Sequence, residues 1–110
     1  MMASYRASIK RYLPAMELLK SLPATKQAKH LKNSPPDLIK FFADLLYNVS
    51  SGFFPVEADV VAQLKPHKKL ISKICEKKRS LKARKNLICR KGTYDRIFSP
   101  LIKPLIDSLQ

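Results

Sequence analysis

Apolar residues recur along this 110-residue chain at intervals of three and four, with no stretch of strict alternation, so the pattern predicts helices rather than strands. Between residues 4 and 22, Ile9, Leu13, Met16, Leu19 and Leu22 keep helical spacing, with Tyr5 and Tyr12 close by. Pro14 falls inside this pattern and predicts a kink or a restart, because proline removes a backbone donor and crowds the preceding turn. Leu22-Pro23 ends the segment. Ala24 to Leu31 then reads as a short basic helix, closed by Asn33-Ser34.

Ser34-Pro35-Pro36-Asp37 is a helix-start signal, with Ser34 as the expected cap, Pro35 at the first helical position and Asp37 as the acid of a capping box. Leu38, Phe41, Phe42, Leu45, Leu46 and Val49 follow on one face, and Gly52 stops the helix. Burial of such side chains is worth about 1.5–3 kcal/mol each, which marks this helix as the centre of the core. Phe53-Phe54-Pro55 reads as an apolar connection tucked against that core. From Glu57 a further helix carries Val60, Val61 and Leu64 inward, and Pro66 is expected to break or bend it. Ile71, Ile74 and Cys75 keep the inward phase as far as Lys78. Ser80 is the expected cap of the next helix, which spans Leu81, Leu87 and Ile88 and stops at Gly92.

The remaining residues change character. Tyr94, Ile97, Phe98, Leu101, Ile102, Leu105, Ile106 and Leu109 hold helical spacing, yet Pro100 and Pro104 interrupt it. One reading is a kinked segment that closes the core. The other is a detachable amphipathic tail in which Ile97, Phe98, Leu101, Ile102, Leu105, Ile106 and Leu109 meet a membrane interface or a partner groove. The expected fold is therefore all-α, a compact bundle of about five short helices. Residues 1–92 form its helical domain, with a basic helix pair at 65–91, and residues 93–110 form the proline-interrupted C-terminal segment.

Charge changes the picture most between Lys65 and Lys91. Twelve cations stand there (Lys65, Lys68, Lys69, Lys73, Lys77, Lys78, Arg79, Lys82, Arg84, Lys85, Arg90 and Lys91) against a single acid, Glu76. The resulting +11 is most of the chain's net +14, gathered in about a quarter of its length. Apolar residues threaded through the run distinguish it from a disordered basic tail. These twelve residues are the candidate contacts for a polyanion. The lysine-rich mixture suits phosphate neutralisation better than bidentate reading of bases, so the first expectation is nucleic acid, DNA above all, held by its phosphate backbone without sequence preference. An anionic membrane, capsid proteins and acidic protein partners are the alternatives. The run also resembles a nuclear-localisation signal.

Catalytic and metal chemistry find little support in the residue types. The closest acids, Glu57 and Asp59, lie two apart, a spacing that does not bring carboxylates together on a helix. Neither His30 nor His67 sits in a nucleophile motif, and two glycines cannot build a phosphate-cradling loop. Cys75 and Cys89 lack metal-ligand spacing and read as small buried hydrophobes. No enzyme activity, cofactor, metal or small-molecule substrate is therefore expected. Arg6, Lys10 and Arg11 interrupt any secretory leader, and no charge-free apolar run approaches the roughly 20 residues that span a bilayer.

The order of these features resembles a known family. A leucine-rich first helix, Pro36-Asp37-Leu38-Ile39, Tyr47-Asn48-Val49, Gly52, Lys68-Lys69, the run from Lys78 to Ile88, Lys91-Gly92 and a Pro/Leu-rich end are similar to small basic proteins of Maverick/Polinton elements and their adintovirus relatives, which are adenovirus-like in gene content. The likeness covers residues 10 to 109 in outline, and Lys78 to Gly92 is its specific part. Thr93 and Tyr94 stand where the family continues with a second glycine and Phe-Leu, and Pro66 interrupts a stretch that the relatives keep helical. The resemblance implies a virion component located in the virion or the host nucleus. Its two implied roles are a core protein that condenses the genome and a minor capsid protein whose apolar end disturbs membranes.

Overall fold

The computed structural model describes residues 2–110, with side chains from Tyr5 onward. Helix α1 (Met2–Ser21) passes through Pro14 without restarting. Pro14 and Lys10, whose carbonyl loses its helical partner, both lie on the exposed side, so water can satisfy the freed acceptor. Ile9, Leu13, Met16 and Leu19 line the opposite, buried side.

Helix α2 (Ala24–Lys32) follows Pro23 directly and is mostly polar, burying Gln27 and Leu31. Gln27 holds it in place. Its Nε2 donates to the Leu19 carbonyl at 2.8 Å and to Asp95 Oδ1 at 2.9 Å, tying α2 to the end of α1 and to the C-terminal segment.

The start of α3 (Pro36–Ser50) differs from the sequence reading by one residue. Pro35 occupies the N-cap and Pro36 the first helical position, with no side-chain cap. Ser34 is engaged elsewhere: its hydroxyl donates to the His30 carbonyl at 2.8 Å, satisfying an acceptor at the end of α2. The expected apolar face of α3 is buried, with Val49 only partly so, and Ile39 and Ala43 are buried as well. The helix is thus enclosed on more than one face. Phe42 meets Phe98 at 4.6 Å between ring centroids and Tyr94 at 6.0 Å.

After α3, Gly52 adopts φ +79°, a left-handed turn in which a side chain would be strained. The Phe54 amide then donates to the Asn48 carbonyl at 3.0 Å. This folds Phe54 into the core, while Phe53 stays 59% exposed. Only half of the expected apolar connection is tucked in, because adjacent side chains of this turn leave on opposite sides.

Helix α4 (Ala58–Leu64) continues through a 3-10 turn, Lys65–His67, into α5 (Lys68–Cys75). Pro66 stands in the first positions of that turn, and the helix type changes there while the chain stays helical. Ser80 caps α6 (Leu81–Ile88), its hydroxyl accepting from the Ala83 amide at 3.1 Å. This helix ends a turn earlier than the expected Gly92, whose φ of +85° serves the next connection. A π-helical turn (Tyr94–Phe98), a 3-10 turn (Ser99–Leu101) and α7 (Ile102–Ser108) complete the chain, with Pro100 inside the 3-10 turn and Pro104 in the first turn of α7.

Taking α4 to α5 as one run and the turns leading into α7 as another, the described residues form six helical runs rather than about five, with no strand among them. The fold is all-α and compact, with a radius of gyration of 12.9 Å, close to the value of about 13 Å usual for this length. Both α5 and α6 pack on α3 and on each other, α2 packs on α6, and α1 packs on α7 and α3.

Candidate nucleic-acid interface

The apolar positions of the basic stretch set which way its charges face. In α5, Ile71 and Ile74 are buried, and Lys68, Lys69 and Lys73 are left exposed. In α6, Leu87 and Ile88 are buried and Lys82 is exposed, together with Arg90 and Lys91 just beyond the helix. Lys77 and Lys78 project from the connection between the helices, and Lys65 is exposed in the turn before α5. Nine of the twelve candidate cations therefore stand in solvent.

Three do not stand free. Arg79 Nε donates to Glu76 Oε2 at 2.7 Å, so the one acid of the run neutralises its own neighbour. Lys85 Nζ donates to the Ser34 carbonyl at 3.1 Å, bracing α6 against the turn between α2 and α3. Arg84 is half-buried, with its Nε enclosed and without a hydrogen-bond partner. Its charge is felt by the Cys75 thiol, which burial pushes up to about 11 against the opposing pull of Arg84 and with a further push from Asp44. Of the three, only Lys85 joins one element to another.

Packing also adds charge that the basic run does not contain. Because α2 lies against α6, Lys29 and Lys32 of α2 and Asn86, Cys89 and Arg90 of the α6 end share a cleft of about 460 Å³. A second hollow of about 480 Å³, lined by Leu22, Lys26, Lys29, His30 and Asn33, adjoins it through Lys29. Burial raises the Cys89 thiol, and the positive charges of Lys85 and of Lys32 in α2 pull it the other way. Both thiols stay protonated at neutral pH. In the sequence α2 is visible as a basic helix, but nothing local says that it lies beside α6. Among the described residues, no group of three His, Cys, Asp or Glu side chains is placed to hold a metal ion.

The candidate membrane or partner residues lie elsewhere. Ile97, Phe98, Leu101, Ile102 and Leu105 are at most 4% exposed, and Ile106 and Leu109 are partly buried against the same core. The Tyr94 hydroxyl donates to the Met16 carbonyl at 2.8 Å, and Arg6 Nη2 donates to the Leu109 carbonyl at 2.6 Å, so α1 holds the segment at both ends. Among the described residues no helix is long and apolar enough to cross a membrane.

No protein-family model matches this chain, and no curated protein or solved structure shows significant similarity to it.

Proposed function

We propose that this chain is a non-catalytic nucleic-acid-binding protein that holds DNA by its phosphate backbone without sequence preference. The observation that carries this reading is the exposure of nine cations between Lys65 and Lys91, extended across the α2–α6 cleft by Lys29 and Lys32. Eight of the nine are lysines, compact charges on flexible stems that neutralise phosphates without demanding one geometry. Such a surface gains affinity by releasing counterions, so it binds any polyanionic strand that fits it. The resemblance to Maverick/Polinton and adintovirus proteins fits a genome-condensing role in a virion or host nucleus, and fits a minor capsid protein equally. The membrane-active alternative would require the C-terminal segment to leave the core. Exposing its five buried residues at about 1.5–3 kcal/mol each costs as much as the whole net stability of an ordinary domain.

Fluorescence anisotropy on a labelled random-sequence duplex across a salt series tests the proposal. Log K falls linearly with log salt, by about 0.9 for each phosphate neutralised, and the slope reports about five or more such phosphates. Alanine at Lys77, Lys78 and Lys82 together lowers both affinity and slope. Weak binding at low salt that ignores these substitutions would overturn the reading.

A further inference from the structure

Four large apolar side chains are strongly exposed among the described residues: Leu18, Tyr47, Phe53 and Val61. Two of them are aromatic, and those two are neighbours. Tyr47 and Phe53 are 44% and 59% exposed, with ring centroids 6.4 Å apart and planes inclined at 39°. The pairing follows from the backbone. Tyr47 lies in the last turn of α3, and the Gly52 turn brings the chain back alongside it. The bond from the Phe54 amide to the Asn48 carbonyl then sends Phe54 inward, where its ring meets Tyr5 at 6.2 Å, and leaves Phe53 outward beside Tyr47.

This pair adjoins the charged surface. Lys77 Nζ sits 5.6 Å from the centroid of the Tyr47 ring, and Lys77 belongs to the same connection as the exposed Lys78. Both rings stand in water at the rim of the polyanion-binding region. Exposed aromatic rings beside lysines are the pairing by which proteins hold unpaired bases and their phosphates at once, since every base has a face to stack. Bases inside a duplex are stacked on one another and offer no such face.

We propose that Tyr47 and Phe53 form a stacking platform for unpaired bases, so that the preferred ligand of this surface is single-stranded nucleic acid. The inference rests on the nucleic-acid reading above and names the strand state that reading leaves open. Lys77 holds one face of Tyr47 in the free protein and turns to a phosphate when a base takes its place.

The test uses three labelled chains of equal length on the intact protein: oligothymidylate, the same sugar-phosphate chain without bases, and a duplex. The full-length protein binds oligothymidylate most tightly. Tyr47→Leu and Phe53→Leu, both at exposed positions, each weaken oligothymidylate binding about tenfold and leave the abasic chain and the duplex unchanged. Because the chain has no tryptophan, Phe53→Trp supplies a single fluorescent reporter. Its emission is quenched by oligothymidylate and not by the abasic chain. Equal binding of oligothymidylate and the abasic chain, or aromatic variants that weaken all three ligands alike, would overturn the platform. If lysine-dependent duplex binding survives in that case, the nucleic-acid reading stands without it. Binding of none of the three chains would remove both.

Discussion

Two neighbouring stretches of this chain carry the same helical rhythm of apolar residues and meet opposite fates. In Lys65–Lys91 the apolar positions are few and narrow, so each helix buries a stripe such as Ile71 and Ile74 and presents lysines to water. In Tyr94–Leu109 they are dense and only lightly diluted by charge, and the segment is drawn into the centre against Met16, Phe42 and α1. The difference is one of proportion. An apolar stripe leaves a charged face in water, whereas an apolar segment becomes core, even across two prolines.

The comparison breaks most readily at the core. Phe98→Ala should cost about 3–5 kcal/mol and Leu101→Ala about 2–5, read as shifts in the urea midpoint. Lys69→Ala, Lys73→Ala and Lys82→Ala, by contrast, should stay within about 0.5 kcal/mol of the parent. For the same reason truncation after Gly92 removes part of the core and unfolds the chain; far-UV circular dichroism would show it. A truncated form that kept its helicity would dissolve the contrast.

Binding should divide the molecule the other way. Joint alanine substitution of Lys29, Lys32 and Arg90 at the α2–α6 cleft is expected to lower the salt slope by about 0.9 for every phosphate left without its cation, and the urea midpoint should not move. Ile106→Ala, in the C-terminal segment, should leave that slope where it was. An unchanged slope in the cleft variant would confine the interface to the basic run itself.

A smaller effect distinguishes the two serines that the sequence offers as caps. Ser80→Ala removes the bond from the Ala83 amide and should cost about 1 kcal/mol, seen in thermal unfolding. Ser34→Ala removes only a bond to a carbonyl of the preceding helix and should cost less.

A separate effect concerns pH dependence. Burial holds the Cys75 thiol at about 11 in the folded chain, above its ordinary 9.0, and Cys89 and Tyr94 are raised in the same direction. The folded chain keeps these protons more tightly than the unfolded one. The stability these groups contribute is therefore fully present below about pH 9 and is lost as pH rises towards 11. Urea titrations at pH 8, 9.5 and 10.5 would show a falling midpoint, whereas a flat profile would mean that the thiols are open to water.

Much of the architecture was legible in the chain before any packing was known. The apolar face of α3, the cap at Ser80, the turn at Gly52 and the concentration of charge before Lys91 each depend on residues a few positions apart. Signals that depend on distant neighbours were misread or missed. Ser34 reads as a cap until α2 claims its hydroxyl, and Pro14 reads as a kink or a restart until α1 is seen to continue through it. Phe53 and Phe54 are the same residue type in adjacent positions, and only the core beneath them separates one from the other. Nothing in the basic run announces that α2 will add Lys29 and Lys32 to its surface.

The sequence by itself determined that this protein is helical, where most of its helices lie and that it carries a large positive charge in one stretch. Periodicity, caps and net charge are local or additive properties, and they survive whatever the chain packs against. Only the tertiary structure decided which cations face water, that α2 joins α6, that the C-terminal segment completes the core and that one aromatic pair is left outside. Those outcomes follow from which apolar surfaces cover one another, a competition among all the helices at once that no short stretch of sequence contains.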